Sequence, residues 1–167
     1  HCSNFIKTVD RSLETRIDWD SSTISYGGKL TAVNHYPISI EWPSRMFVGQ
    51  PPVPECRTQI RAKYGLSASH QVGIGVERLD YTKGILERFL AVERLLELQP
   101  EWIGKLSFLQ LAAPSRSKID EYQHLGQQVT ALADRINRRF GRDGYRPIHL
   151  IIKHHSPVEI ATHYRAA

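Results

Sequence analysis

The stretch that most constrains the fold of this chain is residues 72–90, with the sequence VGIGVERLDYTKGILERFL. Its first five residues form an apolar, β-branched run with two glycines, which predicts a short buried strand of a parallel sheet. A polar turn follows, and apolar residues then recur at the three- and four-residue spacing of an amphipathic helix. A strand, a loop and a helix in this order place a ligand at the carboxyl end of the strand.

Two cations in this turn indicate an anion site. Lys83 lies at or near the first turn of the helix, where the helix dipole disfavours a positive charge. A bound phosphate removes that conflict, because Arg78, Lys83 and the amide groups of the helix start can all bind its oxygens. The alternative is a surface ion pair between Arg78 and Asp80, with Lys83 in solvent. The spacing alone leaves both interpretations open.

The glycines of the strand do not form a nucleotide-binding motif. Gly73 and Gly75 begin like a dinucleotide fingerprint, but Arg78 stands in the place of the third glycine and both glycines lie inside the strand. The sequence GxxxxGK[ST] is absent from the chain. Cys2 and Cys56 lack metal-ligand spacing. No nicotinamide, metal or other cofactor is therefore predicted.

Two further strand–helix units follow the first. Residues 106–112 and 147–152 have the composition of buried strands, and residues 117–139 have a helical pattern with Ile119 on its inner face. Ser156 and Pro157 are a favourable N-cap and first residue for a closing helix. Three such units predict an α/β fold with a doubly wound parallel sheet. Arg116 follows the second strand as Arg78 follows the first, so both arginines should lie at one edge of the sheet.

The first fifty residues do not show the strand–helix alternation of the rest of the chain. Residues 4–16 have a helical pattern, residues 26–29 form a turn signal, and residues 30–40 read as extended. Four prolines within residues 43–54 prevent regular structure and indicate a crossover between two domains.

The net charge and the composition by themselves exclude few classes of function. The net charge of +5 suits anionic substrates and equally suits nonspecific attraction to nucleic acid. Five arginines lie between residues 135 and 146 without aromatic residues for base stacking, so they are interpreted as a solvated helix face. The two cysteines favour a reduced, cytoplasmic protein, and no apolar run is long enough to span a membrane. Neither a nucleic-acid nor a membrane partner is predicted.

The turn at residues 78–84, RLDYTKG, closely resembles the RLDYxKG signature of trehalose-6-phosphate synthases, which are retaining glycosyltransferases of the GT-B type. Further segments resemble the same family in the same order: TVDR at 8–11, YPISIEW at 36–42, PEWIGK at 100–105 and PSR at 114–116. The resemblance implies an internal fragment of a two-domain enzyme. Residues 1–50 would end the N-terminal, acceptor-side Rossmann-like domain, and residues 51–167 would begin the C-terminal nucleotide-sugar domain.

The family's activity is the transfer of glucose from UDP-glucose to glucose 6-phosphate, with retention of configuration, to form trehalose 6-phosphate. The resemblance implies that Arg78 and Lys83 bind the diphosphate and act catalytically. Arg116 would bridge the donor phosphate and the 6-phosphate of the acceptor. Main-chain groups around Leu111 and His155 would lie close to the nucleotide base. The resemblance implies that the family's acceptor-binding loop, and the acidic residues that bind the ribose and sugar hydroxyls, lie outside this chain. The fragment alone is therefore expected to be inactive.

Three alternatives stay open. A related synthase could use GDP-glucose as donor or glycerol 3-phosphate as acceptor. A noncatalytic regulatory homologue is a second alternative, although the presence of Arg78, Lys83 and Arg116 together argues against it. A nucleic-acid-binding module is the third, and it would bind generic DNA or RNA with strong salt dependence. A homo-oligomer is also left open.

Overall fold

Two structural units follow one another along the chain, His1–Trp42 and Pro43–Ala167. The computed structural model describes residues 1–42, 44–115 and 119–167. Arg116, one of the residues expected to bind substrate, lies outside the described residues. None of the helices that the structure describes has the length and apolar character that a membrane crossing needs.

The first unit is a helix followed by an antiparallel meander. Helix α1 (Cys2–Ser12) precedes strands β1 (Arg16–Asp18), β2 (Thr23–Tyr26) and β3 (Lys29–Ala32), in the order β1-β2-β3. The helix ends four residues earlier than predicted, because Leu13 adopts an extended conformation. The predicted turn is confirmed, since Gly27 and Gly28 have φ angles of +55° and +76°, as a two-residue hairpin loop requires. The parallel sheet expected for the chain therefore belongs to the second unit alone.

The second unit contains the three predicted parallel strands. They are β4 (Gln71–Arg78), β5 (Leu106–Ala113) and β6 (Ile148–Ile152), in the order β4-β5-β6. The register pairs Arg78 with Ala113 and Ala112 with Ile152. All three strands consequently end at the same edge of the sheet.

Four helices cover the two faces of this sheet. They are α2 (Val53–Tyr64), α3 (Ile85–Leu98), α4 (Asp120–Phe140) and α5 (Pro157–Ala166). Helices α3 and α4 enclose one core, with Phe89 and Ile136 at its centre, while α2 and α5 enclose another around Cys56 and Leu111. The prediction of a doubly wound α/β arrangement is confirmed. Ile119, expected on the inner face of α4, is instead its N-cap and is 42% exposed.

The glycines of β4 are explained by close packing against β5. A Cβ atom at Gly73 would lie 2.6 Å from the ring of Phe108, and one at Gly75 would lie 2.5 Å from Oε1 of Gln110. These side chains of β5 lie against β4, so a larger residue at either glycine would have to displace them. The Gly-x-Gly pattern is therefore explained by the packing of β4 against β5.

The proline-rich segment packs against the closing helix of the second unit. The hydroxyl of Thr162 donates to Oε1 of Gln50 at 3.3 Å, and Nε of Arg165 donates to the carbonyl of Pro51 at 3.1 Å. Residues 44–52 thus belong structurally with α5, and the first unit ends at Trp42 in the chain. The domain boundary expected at residue 50 stays a prediction.

Candidate functional site

The site lies at the edge of the sheet where β4, β5 and β6 end side by side. The amide of Leu79 donates to the carbonyl of Ala113 at 2.8 Å, and the amide of Lys153 donates to the carbonyl of Ala112 at 3.2 Å. The loops that follow the three strands therefore leave from one edge. In doubly wound sheets this is the edge where ligands bind.

A self-supporting turn follows β4. The carboxylate of Asp80 accepts hydrogen bonds from the amide and the hydroxyl of Thr82, at 3.0 and 2.8 Å. The turn closes as a 3-10 helix, Tyr81–Lys83, and Gly84 then adopts a left-handed conformation with φ +63°. A residue with a Cβ atom would be strained at that angle, so Gly84 is needed where the turn passes into α3.

The bonds to Thr82 bear on the ion pair that the alternative interpretation expects. They hold the pKa of the Asp80 carboxyl below its ordinary value, as do the charges of Arg78 and Lys83, against an opposing effect of burial. Within the described part of the chain, Arg78 forms no ion pair with Asp80. Arg78, the last residue of β4, and Lys83 are both exposed. Both cations are thus open to a ligand.

The start of α3 adds unpaired donors to these charges. Gly84 supplies no side-chain cap, and no acceptor among the described residues binds the amides of Ile85, Leu86 and Glu87. Free amides and the positive end of the helix dipole favour an anion here. Two exposed cations and an uncapped helix start therefore lie within residues 78–87, at the end of β4 and directly after it.

The start of α5 contrasts with the start of α3. Ser156 caps it by accepting a hydrogen bond from the amide of Glu159 at 3.1 Å, as predicted. Each of the two helices carries one acidic residue in its first turn, Glu159 in α5 and Glu87 in α3. The side-chain cap occupies one of the free amides of α5, and this difference makes the start of α5 less favourable for an anion than the start of α3.

Leu111 and His155 lie near the same edge, but their side chains are buried. Leu111 is in the central strand, two residues before its end, and is fully buried. The His155 side chain is 3% exposed, and its Nδ1 atom lies 3.1 Å from Oε2 of Glu159. A ligand can meet these two positions only through their main chains, as the prediction requires. The contact with a base stays a prediction.

Sequence reasoning missed a partly buried group of three polar side chains beside the site. Glu77, Arg88 and Gln110 contact one another on the face of the sheet that α3 covers. Two signals were available, because Glu77 and Gln110 are polar positions in mostly apolar strands and Gly75 leaves space next to them. Their partners could not be read from the sequence, since Gln110 lies 33 positions beyond Glu77.

The arginine-rich segment is only partly a solvated face. Arg135 donates two hydrogen bonds to Glu93, at 2.8 and 2.6 Å, and Arg139 donates a third at 3.0 Å. The Glu93 side chain is 8% exposed, whereas both arginines are about half exposed. These two arginines therefore join α4 to α3 and are not available for a polyanion.

Comparison with known proteins adds to this geometry. An alpha,alpha-trehalose-phosphate synthase [UDP-forming] A of Dictyostelium discoideum is 33% identical over 166 residues, which cover 98% of this chain and 22% of that protein. A crystal structure of the UDP-forming synthase from Burkholderia xenovorans, in complex with glucose-6-phosphate, is 30% identical with a TM-score of 0.75. The match covers 98% of this chain and 36% of the Burkholderia chain.

A solved E. coli structure, described as trehalose-6-phosphate bound with UDP-2-fluoro glucose, is 31% identical with a TM-score of 0.70. The match covers 92% of this chain and 34% of that one. This chain thus spans roughly a third or less of the length of these relatives. The model of glycosyltransferase family 20 matches residues 1–167, the whole sequence. The chain belongs to glycosyltransferase family 20.

Proposed function

We propose that the protein transfers glucose from UDP-glucose to the anomeric hydroxyl of glucose 6-phosphate, releasing UDP and forming trehalose 6-phosphate with retention of configuration. The observation that carries this proposal is the segment at the end of β4, residues 78–87, which holds the exposed cations Arg78 and Lys83 and the uncapped start of α3. The names of the relatives support the substrates, since one is called UDP-forming, one holds glucose-6-phosphate and one holds UDP-2-fluoro glucose.

The charge at this position suits the chemistry of the step. As the bond between C1 of glucose and the β-phosphate oxygen breaks, negative charge grows on the leaving diphosphate. Arg78, Lys83 and the amides of α3 stabilise that charge more strongly in the transition state than in the ground state. Because the turn is held by Asp80 and Thr82, these groups need little rearrangement during the reaction.

The departing phosphate completes the step without a nucleophile from the protein. The acceptor hydroxyl oxygen forms the new bond to C1 on the face that UDP leaves. Its proton passes to the phosphate oxygen that the broken bond releases. Attack on the same face retains the configuration, and atoms and charge balance with UDP as the only by-product.

Three further residues have proposed roles. Arg116, which follows β5 in sequence, would bridge the donor phosphate and the 6-phosphate of the acceptor. Main-chain groups around Leu111 and His155 would contact the base. The reaction uses no cofactor in this scheme. We assign it to the cytoplasm because both cysteines are unpaired thiols.

Calorimetric titration of UDP tests the diphosphate site directly. The double variant Arg78→Ala, Lys83→Ala should weaken UDP binding by about a hundredfold or more, since each charge-assisted contact contributes about 1.5–3 kcal/mol. The double variant Arg138→Ala, Arg142→Ala is a matched control, because it removes the same charge from two exposed positions. Arg138 lies in the last turn of α4, and Arg142 lies two residues beyond the end of that helix. Equal UDP affinity in the two double variants would refute the site.

A product assay tests the reaction itself. The protein that carries this sequence, supplied with UDP-glucose and glucose 6-phosphate, should release UDP and trehalose 6-phosphate in equal amounts. Replacing the donor by GDP-glucose, or the acceptor by glycerol 3-phosphate, should lower the rate. A higher rate with either replacement would assign the protein to one of the related activities.

A further inference from the structure

Three polar side chains form a closed ring on the face of the sheet that α3 covers. Nε2 of Gln110 donates to Oε2 of Glu77 at 2.5 Å, and Nη1 of Arg88 donates to Oε1 of Gln110 at 2.9 Å. Nη1 of Arg88 also lies 2.8 Å from Oε1 of Glu77. Gln110 is fully buried, and the side chains of Glu77 and Arg88 are 20% and 31% exposed.

Stability alone does not explain this ring. Apolar side chains of similar volume often give equal or greater stability than a buried charged group, because the charges must leave water. The fold nevertheless makes space for the ring. A Cβ atom at Gly75 would lie 2.5 Å from Oε1 of Gln110 and 2.6 Å from Nη1 of Arg88.

The ring joins the elements that carry the anion site. Glu77 directly precedes Arg78 at the end of β4. Arg88 lies in the first turn of α3, and its amide donates to the carbonyl of Gly84 at 3.0 Å. Gln110 pairs with Gly75 across the sheet. The ring therefore links the strand end that carries Arg78 to the helix start that follows Lys83.

The ring also fixes the charge at this place. The carboxylate of Glu77 neutralises Arg88 and turns its guanidinium toward β5. Arg88 is thus not a third free cation beside Arg78 and Lys83. Glu77 alone would be enough to balance the charge of Arg88. Gln110 makes one further hydrogen bond to each of these two side chains, and these bonds fix their positions.

We propose that Glu77, Arg88 and Gln110 are positioning residues that hold Arg78 at a fixed place relative to Lys83 and the amides of α3, so that all of them meet the two phosphates of a nucleoside diphosphate together. This role rests on the proposed function. Small displacements of such groups are costly, since a shift of about 1 Å can reduce a rate about a hundredfold.

A double-mutant cycle on UDP affinity tests the role. Gln110→Met removes the bonds of the ring at nearly constant volume and should weaken UDP binding about tenfold. In an Arg78→Ala background the same change should have no further effect, because the residue that the ring positions is gone. Ile136→Val, in the core between α3 and α4, is a stability control that should lower the melting temperature and leave UDP affinity unchanged.

An exchange of the two partners gives a second test if Gln110→Met does not fold. Glu77→Gln and Gln110→Glu should each weaken UDP binding when made singly. Together they should restore it, because the carboxylate and the amide change places and Arg88 still contacts both.

The outcomes separate this role from the proposed function. Unchanged UDP affinity in Gln110→Met, additive effects in the cycle, or no recovery in the exchange would each overturn the positioning role alone. A folded, unmodified protein that does not bind UDP would overturn the proposed function and the positioning role with it.

Discussion

The carboxylate of Asp80 accepts two hydrogen bonds from Thr82, one from its amide at 3.0 Å and one from its hydroxyl at 2.8 Å. The two residues are separated by one position, so the interaction is local. It uses the acidic group that lies between Arg78 and Lys83 in the sequence for the shape of the turn. The cations are thereby left to a ligand.

Replacement of Asp80 should weaken ligand binding through this turn. Asp80→Ala removes both bonds from Thr82, and we expect UDP affinity to fall about tenfold because a mobile turn must be ordered on binding. Asp80→Asn retains an oxygen that accepts from Thr82, so its effect should be smaller. Calorimetric titration of the two variants measures the difference. If Asp80→Asn were the weaker binder, the negative charge rather than the turn would be important.

Glu159 should make the stability of the second unit dependent on acid. Partial burial acts to raise its pKa, but hydrogen bonds from Lys153, His155 and Lys63 outweigh this and lower the pKa from 4.5 to about 2. A carboxyl with a depressed pKa stabilises the fold above its unfolded pKa. That contribution is lost as the pH falls from 4.5 toward 2.

Urea unfolding of Glu159→Gln at several pH values measures this contribution. At pH 6 the variant should be less stable by about 1 kcal/mol, a value kept low because both lysines are about half exposed. The difference from the unmodified protein should shrink steadily below pH 4. Glu101→Gln removes an exposed carboxylate and should show no such trend. A difference for Glu159→Gln that persists undiminished at pH 2.5 would contradict the assignment.

Arg135 and Arg138 should respond differently to the same substitution. Arg135→Met breaks two hydrogen bonds to the buried carboxylate of Glu93. We expect a loss of about 1–2 kcal/mol, because Arg139 still balances part of the charge. Arg138→Met removes an exposed cation from the same helix and should change stability by less than about 0.5 kcal/mol. Equal losses in chemical denaturation would show that the contact between α3 and α4 is unimportant.

The two glycines of β4 offer a matched pair of substitutions. Gly73→Ala pushes against Phe108, and Gly75→Ala pushes against Gln110 and Arg88. Both should cost about 1–3 kcal/mol of stability, because the added methyl groups have no space. Only Gly75→Ala should also weaken UDP binding, since it displaces the ring beside Arg78. Similar UDP affinities in two variants of equal stability would argue against the ring's role.

Much of the second unit could be predicted from local patterns. The strand–helix alternation, the turn before α3 and the cap at Ser156 depend on residues within four positions of one another. The limit of α1 could not be predicted, because its apolar spacing continues beyond Ser12 while Leu13 is already extended. The sequence wrongly predicted Ile119 on the buried face of α4, because the apolar spacing extends to a residue at which the helix has not yet begun.

The sequence by itself determined the parallel α/β class, the turn that presents Arg78 and Lys83, and the family to which the chain belongs. The class and the turn follow from short-range hydrogen bonds and from the periodicity of apolar residues, whereas the family follows from the resemblance of several segments, RLDYTKG first among them. Only the tertiary structure decided which polar side chains meet in the interior. Glu77 contacts Gln110, which is 33 positions away in the chain, and Glu93 contacts Arg135, which is 42 positions away. Periodicity assigns a residue to a face, whereas its partner on that face depends on strand register and on how the helices pack.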